Sequence, residues 1–358
     1  MKIFFYINNI GYGGAERVMV NLSSVFAENN HDVSLITSFN VEKEYEINSK
    51  IKRYSLENEE QSSNFLKRNF SRIKKLKALC KKEQPDVLVS FMGENNFRAI
   101  LATRGLKTKT IVSVRNDPNK EYSTKLFKFL AKTLYKKADG VVFQTDDAKN
   151  WFPKKVQKKS RVIMNQVAEK FFSVKKEKED YYVATGRLNQ QKNYPMMIRA
   201  FARFVKDYPD EKLYIYGNGD LREELNELIK NLNVERNILL KGPSNDIPDV
   251  LKNAKGFLLS SNYEGIPNGL LEAMAVGVPC ISTDCPCGGP KMIINHNENG
   301  LLIPVGDEDK LYEALCCLEN EDLRKKISTN AKKSAESFKP DVIYENWEKY
   351  LKEVVGEK

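Results

Sequence analysis

Histidine is nearly absent from this 358-residue chain: His31 and His296 are the only two. That scarcity excludes a histidine-rich metal centre and leaves no strong histidine pair for acid–base work. No run of about 18 apolar residues occurs, so no segment reads as a membrane-spanning helix. Met1 to Ile7 read as a short strand reaching Asn8-Asn9 rather than a cleaved leader, and a cytosolic location is expected. The six cysteines (Cys80, Cys280, Cys285, Cys287, Cys316, Cys317) then default to reduced thiols. Cys285-Pro286-Cys287 has neither the spacing nor the partners of a zinc site. The one Asp-x-Asp pattern, Asp307-Glu308-Asp309, reads as a helix start rather than a metal site. A complete dinucleotide glycine fingerprint, an interleaved aromatic and basic RNA-binding motif, and low-complexity tracts are all missing.

What is present describes a globular protein of two domains: 41% hydrophobic and 30% charged residues over a length too great for one comfortable core. The formal charge of +10 is unevenly placed. Residues 1–165 hold 31 Lys+Arg against 17 Asp+Glu, a net of +14, and residues 166–358 hold 27 against 31, a net of −4. A basic first half points to an anionic partner surface, with phospholipid, a pyrophosphate-linked acceptor and nucleic acid as candidates.

Apolar strand runs alternate with helical patterns. Strands are expected at 2–7, 33–37, 87–91, 110–114, 140–144 and 161–164, with helices at 16–28, 64–82, 96–103 and 124–137 between them. The pattern restarts after a charged run, Lys175 to Asp180, with strands at 181–185, 213–216, 238–240, 256–260 and 279–282 and helices at 194–207, 221–231, 246–253 and 268–276. The expected organisation is an α/β chain of two doubly wound Rossmann-like domains, 1–165 and 181–339, joined by a linker at 166–180. A closing amphipathic helix, 340–358, carries Trp347, Tyr350 and Leu351 and is expected to pack back toward the first domain.

Three loops carry the candidate chemistry. In the first, Glu264-Gly265-Ile266-Pro267-Asn268-Gly269-Leu270-Leu271-Glu272, a strand end leads through a glycine-rich loop into a helix. Free N–H groups and the positive end of a helix suit an anion there. Two carboxylates flanking it, Glu264 and Glu272, suit hydroxyl groups on either side of a diphosphate. Their plainer roles are a helix cap and a solvated helix residue. In the second, Gly11-Tyr12-Gly13-Gly14-Ala15-Glu16-Arg17, glycines follow the first strand, and Glu16 stands where a third fingerprint glycine would be. Taken alone it is a tight strand–helix turn. In the third, Gly186-Arg187-Leu188-Asn189-Gln190-Gln191-Lys192-Asn193, Arg187 and Lys192 can converge on one anion, the alternative being a solvated basic loop.

Together these segments resemble glycosyltransferase family 4, whose architecture is GT-B, over nearly the whole chain. The marks are Gly-Gly-Ala-Glu-Arg at 13–17, Gly-Arg-Leu…Gln-Lys-Asn at 186–193, Tyr-Gly-Asn-Gly at 216–219 and the spaced glutamates with Glu272-Ala273. The similarity is greatest to the bacterial branch building capsule, O-antigen or lipid-linked oligosaccharides, including N-acetylgalactosaminyltransferases acting on undecaprenyl-diphosphate glycans. The resemblance implies two domains facing a cleft. It implies a retaining hexosyltransferase with no cofactor and no metal, moving a hexose or N-acetylhexosamine from a nucleotide sugar, UDP-linked in the first instance, to a lipid-linked glycan. It implies that Gly13 and Gly14 face the donor diphosphate, that Arg187 and Lys192 neutralise it, and that Glu264 holds donor-sugar hydroxyls. Glu272 would bind the ribose; Gly186, Gly217, Gly265 and Ile266 and the backbone of Asn268, Gly269 and Leu270 would complete the donor site; Leu240 to Gly242 and Pro243 would line the base pocket. Where many relatives carry a histidine, this chain has Arg115 and Asn116, which become candidates on the acceptor side.

The segment 64–82 places Leu66, Phe70, Ile73, Leu76 and Cys80 at helical spacing among Lys67, Arg68, Lys74, Lys75, Lys77, Lys81 and Lys82. Lys154, Lys155, Lys158 and Lys159 add a second basic patch beside Trp151 and Phe152. Peripheral contact with the inner face of an anionic membrane is the expectation, without nucleic-acid binding. The competing readings are a nucleotide-sugar epimerase or hydrolase of the same architecture, a basic membrane- or nucleic-acid-binding module, and a nicotinamide-dependent oxidoreductase. His31 and His296 are both expected in surface loops.

Overall fold

Runs such as Ile3-Phe4-Phe5-Tyr6-Ile7 and Val87-Leu88-Val89 are apolar on both faces, as strands covered by helices on both sides must be. In the computed structural model, which describes residues 1–57, 64–244 and 246–357, these runs form two wholly parallel sheets. The first contains β1 (Lys2–Ile7), β2 (Asp32–Thr37), β3 (Lys52–Ser55), β4 (Val87–Phe91), β5 (Lys109–Ser113), β6 (Gly140–Phe143) and β7 (Ser160–Val162) in the order β3-β2-β1-β4-β5-β6-β7. The second contains β8 (Tyr181–Thr185), β9 (Leu213–Tyr216), β10 (Ile238–Gly242), β11 (Ala254–Leu259), β12 (Cys280–Thr283) and β13 (Leu301–Ile303) in the order β10-β9-β8-β11-β12-β13.

Each sheet belongs to its own unit. Unit 1 is Met1–Gln166 with Pro340–Lys358, and unit 2 is Val167–Lys339. Residues 167–180 therefore fold with unit 2, and a short helix, Glu169–Phe172, lies within them.

In unit 1 the strand alternation sorts side chains between two layers. Ile3, Phe5 and Ile7 meet helix Gly14–Glu28 and the C-terminal helix Pro340–Val355, whose Ile343, Trp347, Tyr350 and Leu351 are buried among them. Phe4, Tyr6 and Leu88 meet helix Phe65–Glu83 through Leu76 and Cys80. Each such aromatic or aliphatic side chain contributes about 2 kcal/mol by leaving water. The Tyr350 hydroxyl locks the last helix down, accepting from the Val141 N–H at 2.8 Å and donating to the Lys159 carbonyl.

The apolar stripe of the basic helix divides along its length. Leu76 and Cys80 are buried, whereas Leu66 and Phe70 stay 74% and 71% exposed. Trp151 and Phe152 turn inward: Phe152 is buried and Trp151 stacks on Tyr122, so neither is a free lipid-facing group. His31 also departs from expectation. Its side chain is 9% exposed, packs on Phe26, and bonds the Tyr344 hydroxyl at 3.2 Å, because the C-terminal helix covers it. His296 is exposed as expected. The polar edge strand β3, with no buried residue, has no apolar alternation to announce it.

Candidate active site

The strand order of unit 2 reverses direction at β8. The chain builds outward through β9 and β10, then crosses back to place β11 on the other side of β8. Ligands of doubly wound sheets bind outside the carboxyl ends at such a point. The two loops that leave the carboxyl ends of β8 and β11 carry Arg187–Asn193 and Ser260–Pro267.

Side chains stitch these loops together. Ser260 Oγ donates to the carbonyls of Lys192 and Asn193 at 2.7 and 3.0 Å. Asn262 N–H donates to the Gln191 carbonyl at 2.8 Å, and its amide to the Gln190 carbonyl at 2.8 Å. Gln191 returns a bond to the Tyr263 carbonyl at 3.0 Å.

Within this frame Lys192 Nζ lies 2.6 Å from Glu264 Oε1. Ser261 Oγ donates to the same oxygen at 2.7 Å, and Gln191 Nε2 approaches Oε2 at 3.3 Å. The Glu264 side chain is 8% exposed, so its charge needs these donors. Its backbone is clamped too: Glu264 N–H donates to the Pro286 carbonyl at 2.6 Å and its carbonyl accepts from Cys287 N–H at 2.8 Å. Burial and the nearby Glu264 charge push the Tyr194 phenol up. Burial also pushes the neighbouring Cys285 thiol up to about 12, which makes it a poor nucleophile. Arg187 is exposed and takes part in none of the ion pairs of the described residues.

The glycines expected on the donor side form a row along the carboxyl edge. Gly186 N–H donates to the Tyr216 carbonyl and Gly217 N–H to the Gly242 carbonyl, both at 2.9 Å. A Cβ on Gly217 would lie 1.8 Å from the Gly186 oxygen, so no other residue fits. The same holds at Gly289, where a Cβ would lie 1.7 Å from the Gly265 oxygen. Gly242 ends edge strand β10, with exposed Pro243 next to it. Helix Asn268–Val276 opens at this edge with Pro267 as its cap; Ile266 and Glu272 are buried. The Leu270 N–H is already turned to the Pro267 carbonyl at 3.1 Å, as expected in the first turn of a helix.

In unit 1 the corresponding reversal lies between β1 and β4. Gly13 caps helix Gly14–Glu28 after β1, and the Glu16 carboxylate folds over it: a Cβ on Gly13 would lie 2.1 Å from Glu16 Oε2. The exposed Gly14 follows. Arg115, beyond β5, lies 4.3 Å above the Phe91 ring and donates to Asn165 Oδ1 and to Ser113 Oγ. Burial draws it down to about 9, partly offset by Glu121. Asn116 accepts from the Asp117 N–H at 2.9 Å and so shapes its own turn. Glu121, pushed up to about 7 by burial, was not a sequence candidate.

Asp307-Glu308-Asp309 opens helix Glu308–Leu318; Asp307 caps it and the other two meet Arg199 and Arg203. Among the described residues no helix is long and apolar enough to cross a membrane.

Comparison with known proteins decides the family. The Glycosyltransferase Family 4 profile covers residues 12–169 and the Glycosyl transferases group 1 profile covers residues 165–334. A Campylobacter jejuni protein, GalNAc-alpha-(1->4)-GalNAc-alpha-(1->3)-diNAcBac-PP-undecaprenol alpha-1,4-N-acetyl-D-galactosaminyltransferase, is 32% identical over 99% of both chains. This chain belongs to glycosyltransferase family 4. The glycosyltransferase is also 31% identical, over 98% of its own length and 99% of the other, to a second C. jejuni protein, N-acetylgalactosamine-N,N'-diacetylbacillosaminyl-diphospho-undecaprenol 4-alpha-N-acetylgalactosaminyltransferase. Anabaena Alr3699/HepE in complex with UDP shares its fold, with a TM-score of 0.82 and 16% identity over 99% of this chain and 100% of that one. The fold of this glycosyltransferase is GT-B, two Rossmann-like units of parallel sheet and helices.

Proposed function

We propose that this glycosyltransferase moves an N-acetylhexosamine or hexose from a UDP-linked donor to a lipid-linked glycan, with retention at the anomeric carbon and without a metal ion. The observation that carries the reading is the pairing of Lys192 with Glu264 at the reversal point of unit 2. A lysine on a flexible stem and an exposed Arg187, in no ion pair among the described residues, are suited to the charge that builds on a departing diphosphate. Glu264, supported from its protein side, suits sugar hydroxyls; Glu272 suits a ribose; the Gly242–Pro243 turn suits a base. The names of the two C. jejuni relatives, both acting on undecaprenyl-linked glycans, support the acceptor class. The UDP held by the Anabaena protein supports the donor class.

Contact with the inner face of an anionic membrane is part of the proposal. Exposed Leu66 and Phe70 on one helix and Leu126 and Phe129, each 64% exposed, on another stand beside lysines of those helices. Apolar side chains with a basic surround suit a phospholipid surface.

The test is transfer from UDP-N-acetylgalactosamine to undecaprenyl-diphosphate-linked glycans, read by product mass. Growth of the acceptor by one N-acetylhexosamine is expected. Hydrolysis or epimerisation of the donor with no acceptor growth would contradict the reading.

A further inference from the structure

The Glu264 carboxylate has three donors of unequal kind. Lys192 and Ser261 share Oε1 at 2.6 and 2.7 Å, while Gln191 reaches Oε2 at a long 3.3 Å. Ser261 is fully buried, and its carbonyl is held by Thr283 Oγ1 at 2.7 Å. Its hydroxyl has one proton, and that proton is committed to Glu264. The lysine is different: its side chain is 18% exposed and ends a flexible stem with three donors. An anion at the mouth of the loops would draw Lys192 outward, and the buried carboxylate would then lose its one strong cation. A buried carboxylate left in that state is costly and shifts position unless other donors hold it.

We propose that Ser261 is a positioning residue of this glycosyltransferase, keeping Glu264 in place for the sugar when the donor diphosphate draws Lys192 away. Gln191 assists from the other oxygen and joins the two loops. The inference rests on the reading of Lys192 and Glu264 as donor-site residues. It adds a division of labour. Lys192 answers to the phosphate, Ser261 to the sugar-facing carboxylate, and the three side chains exchange partners as the donor enters.

The test compares Ser261→Ala with Ser261→Thr, which keeps the hydroxyl, on the full chain with UDP and UDP-N-acetylgalactosamine. Losing one charge-assisted hydrogen bond predicts a kcat fall of about ten- to a hundredfold for Ser261→Ala. UDP affinity is expected to fall much less than kcat, because UDP has no sugar for Glu264 to hold. Ser261→Thr should recover part of kcat. In a Glu264→Gln background, Ser261→Ala should have little further effect. UDP affinity falling in step with kcat, or a full additive loss in the Glu264→Gln background, would overturn the proposal by making Ser261 a general support of the loop. Near-normal kcat in a folded Ser261→Ala protein would overturn it too. Failure of the underlying reading looks different: Lys192→Ala and Glu264→Gln would themselves turn over normally.

Discussion

Lys192 and Glu264 stand 72 positions apart in sequence and 2.6 Å apart in space. Each comes from a loop at the carboxyl end of one of two adjacent parallel strands, β8 and β11. The pair is part-buried, Glu264 more deeply than Lys192, and the other donors to the carboxylate, Ser261 and Gln191, are neutral. Removing the lysine leaves the buried carboxylate with neutral donors alone, which costs about 1–3 kcal/mol. Lys192→Ala is therefore expected to lose both transfer activity and stability, while Lys192→Ala with Glu264→Gln regains stability but not activity. Thermal unfolding and turnover of the two single variants and the double variant check this. Additive stability losses would contradict the pairing.

Gly217 and Gly289 are fixed by close approach. Their Cβ positions fall within 2 Å of a backbone oxygen, that of Gly186 and of Gly265 respectively. Gly217→Ala and Gly289→Ala are each expected to destabilise the protein by about 3 kcal/mol, as overpacking against backbone does. Gly105→Ala serves as the comparison. Its φ of +79° is left-handed but nothing lies near its Cβ, so a loss of about 1 kcal/mol is expected from conformation alone. Equal losses at all three positions, measured by denaturant unfolding, would contradict the account.

Glu121 makes stability depend on pH. Burial raises it from an ordinary 4.5 to about 7, against the pull of the Gly93 and Arg115 N–H groups, Tyr122 and the Arg115 charge. Tyr135 lies beside it, bonded to Tyr122. The folded state therefore holds a proton that the unfolded state releases above about pH 4.5, and the fold loses stability as pH rises from there to about 7. Glu121→Gln removes that loss. Its stability relative to the unaltered protein should improve between pH 5 and pH 8, by about 3 kcal/mol at most. A difference that does not change with pH, measured by thermal unfolding, would show that Glu121 titrates normally.

Vesicle co-sedimentation tests the surface carried by Leu66, Phe70, Leu126 and Phe129. Binding to vesicles containing phosphatidylglycerol is expected to weaken with salt and to fall when the four are changed to serine, with neutral vesicles bound poorly throughout. Binding unaffected by the four changes would move the contact elsewhere.

Much of this was legible in the chain because its buried parallel strands are nearly pure apolar runs and because glycine marks each strand–loop–helix corner. Strands β1 and β4 to β6 could be read from hydrophobicity alone in outline, whereas polar β3 and three-residue β13 could not, having too little pattern. The site glutamates and basic residues showed in their loops. What did not show was partner choice. No periodicity reveals that Lys192 spends its charge on Glu264, that Ser261 supports the same oxygen, or that Glu16 folds back over Gly13. His31 was hidden for a related reason, since the helix that buries it lies more than 300 residues away in sequence.

The most direct measurement is calorimetric titration of UDP into the unaltered protein and into Arg187→Ala. Arg187 is exposed and takes part in no ion pair among the described residues, so its removal should leave the unfolding temperature unchanged. The account predicts saturable UDP binding that weakens about tenfold or more in the variant, as the loss of a charge-assisted contact to phosphate would produce. UDP binding of equal strength in both proteins would contradict the placement of the donor diphosphate at this edge of unit 2.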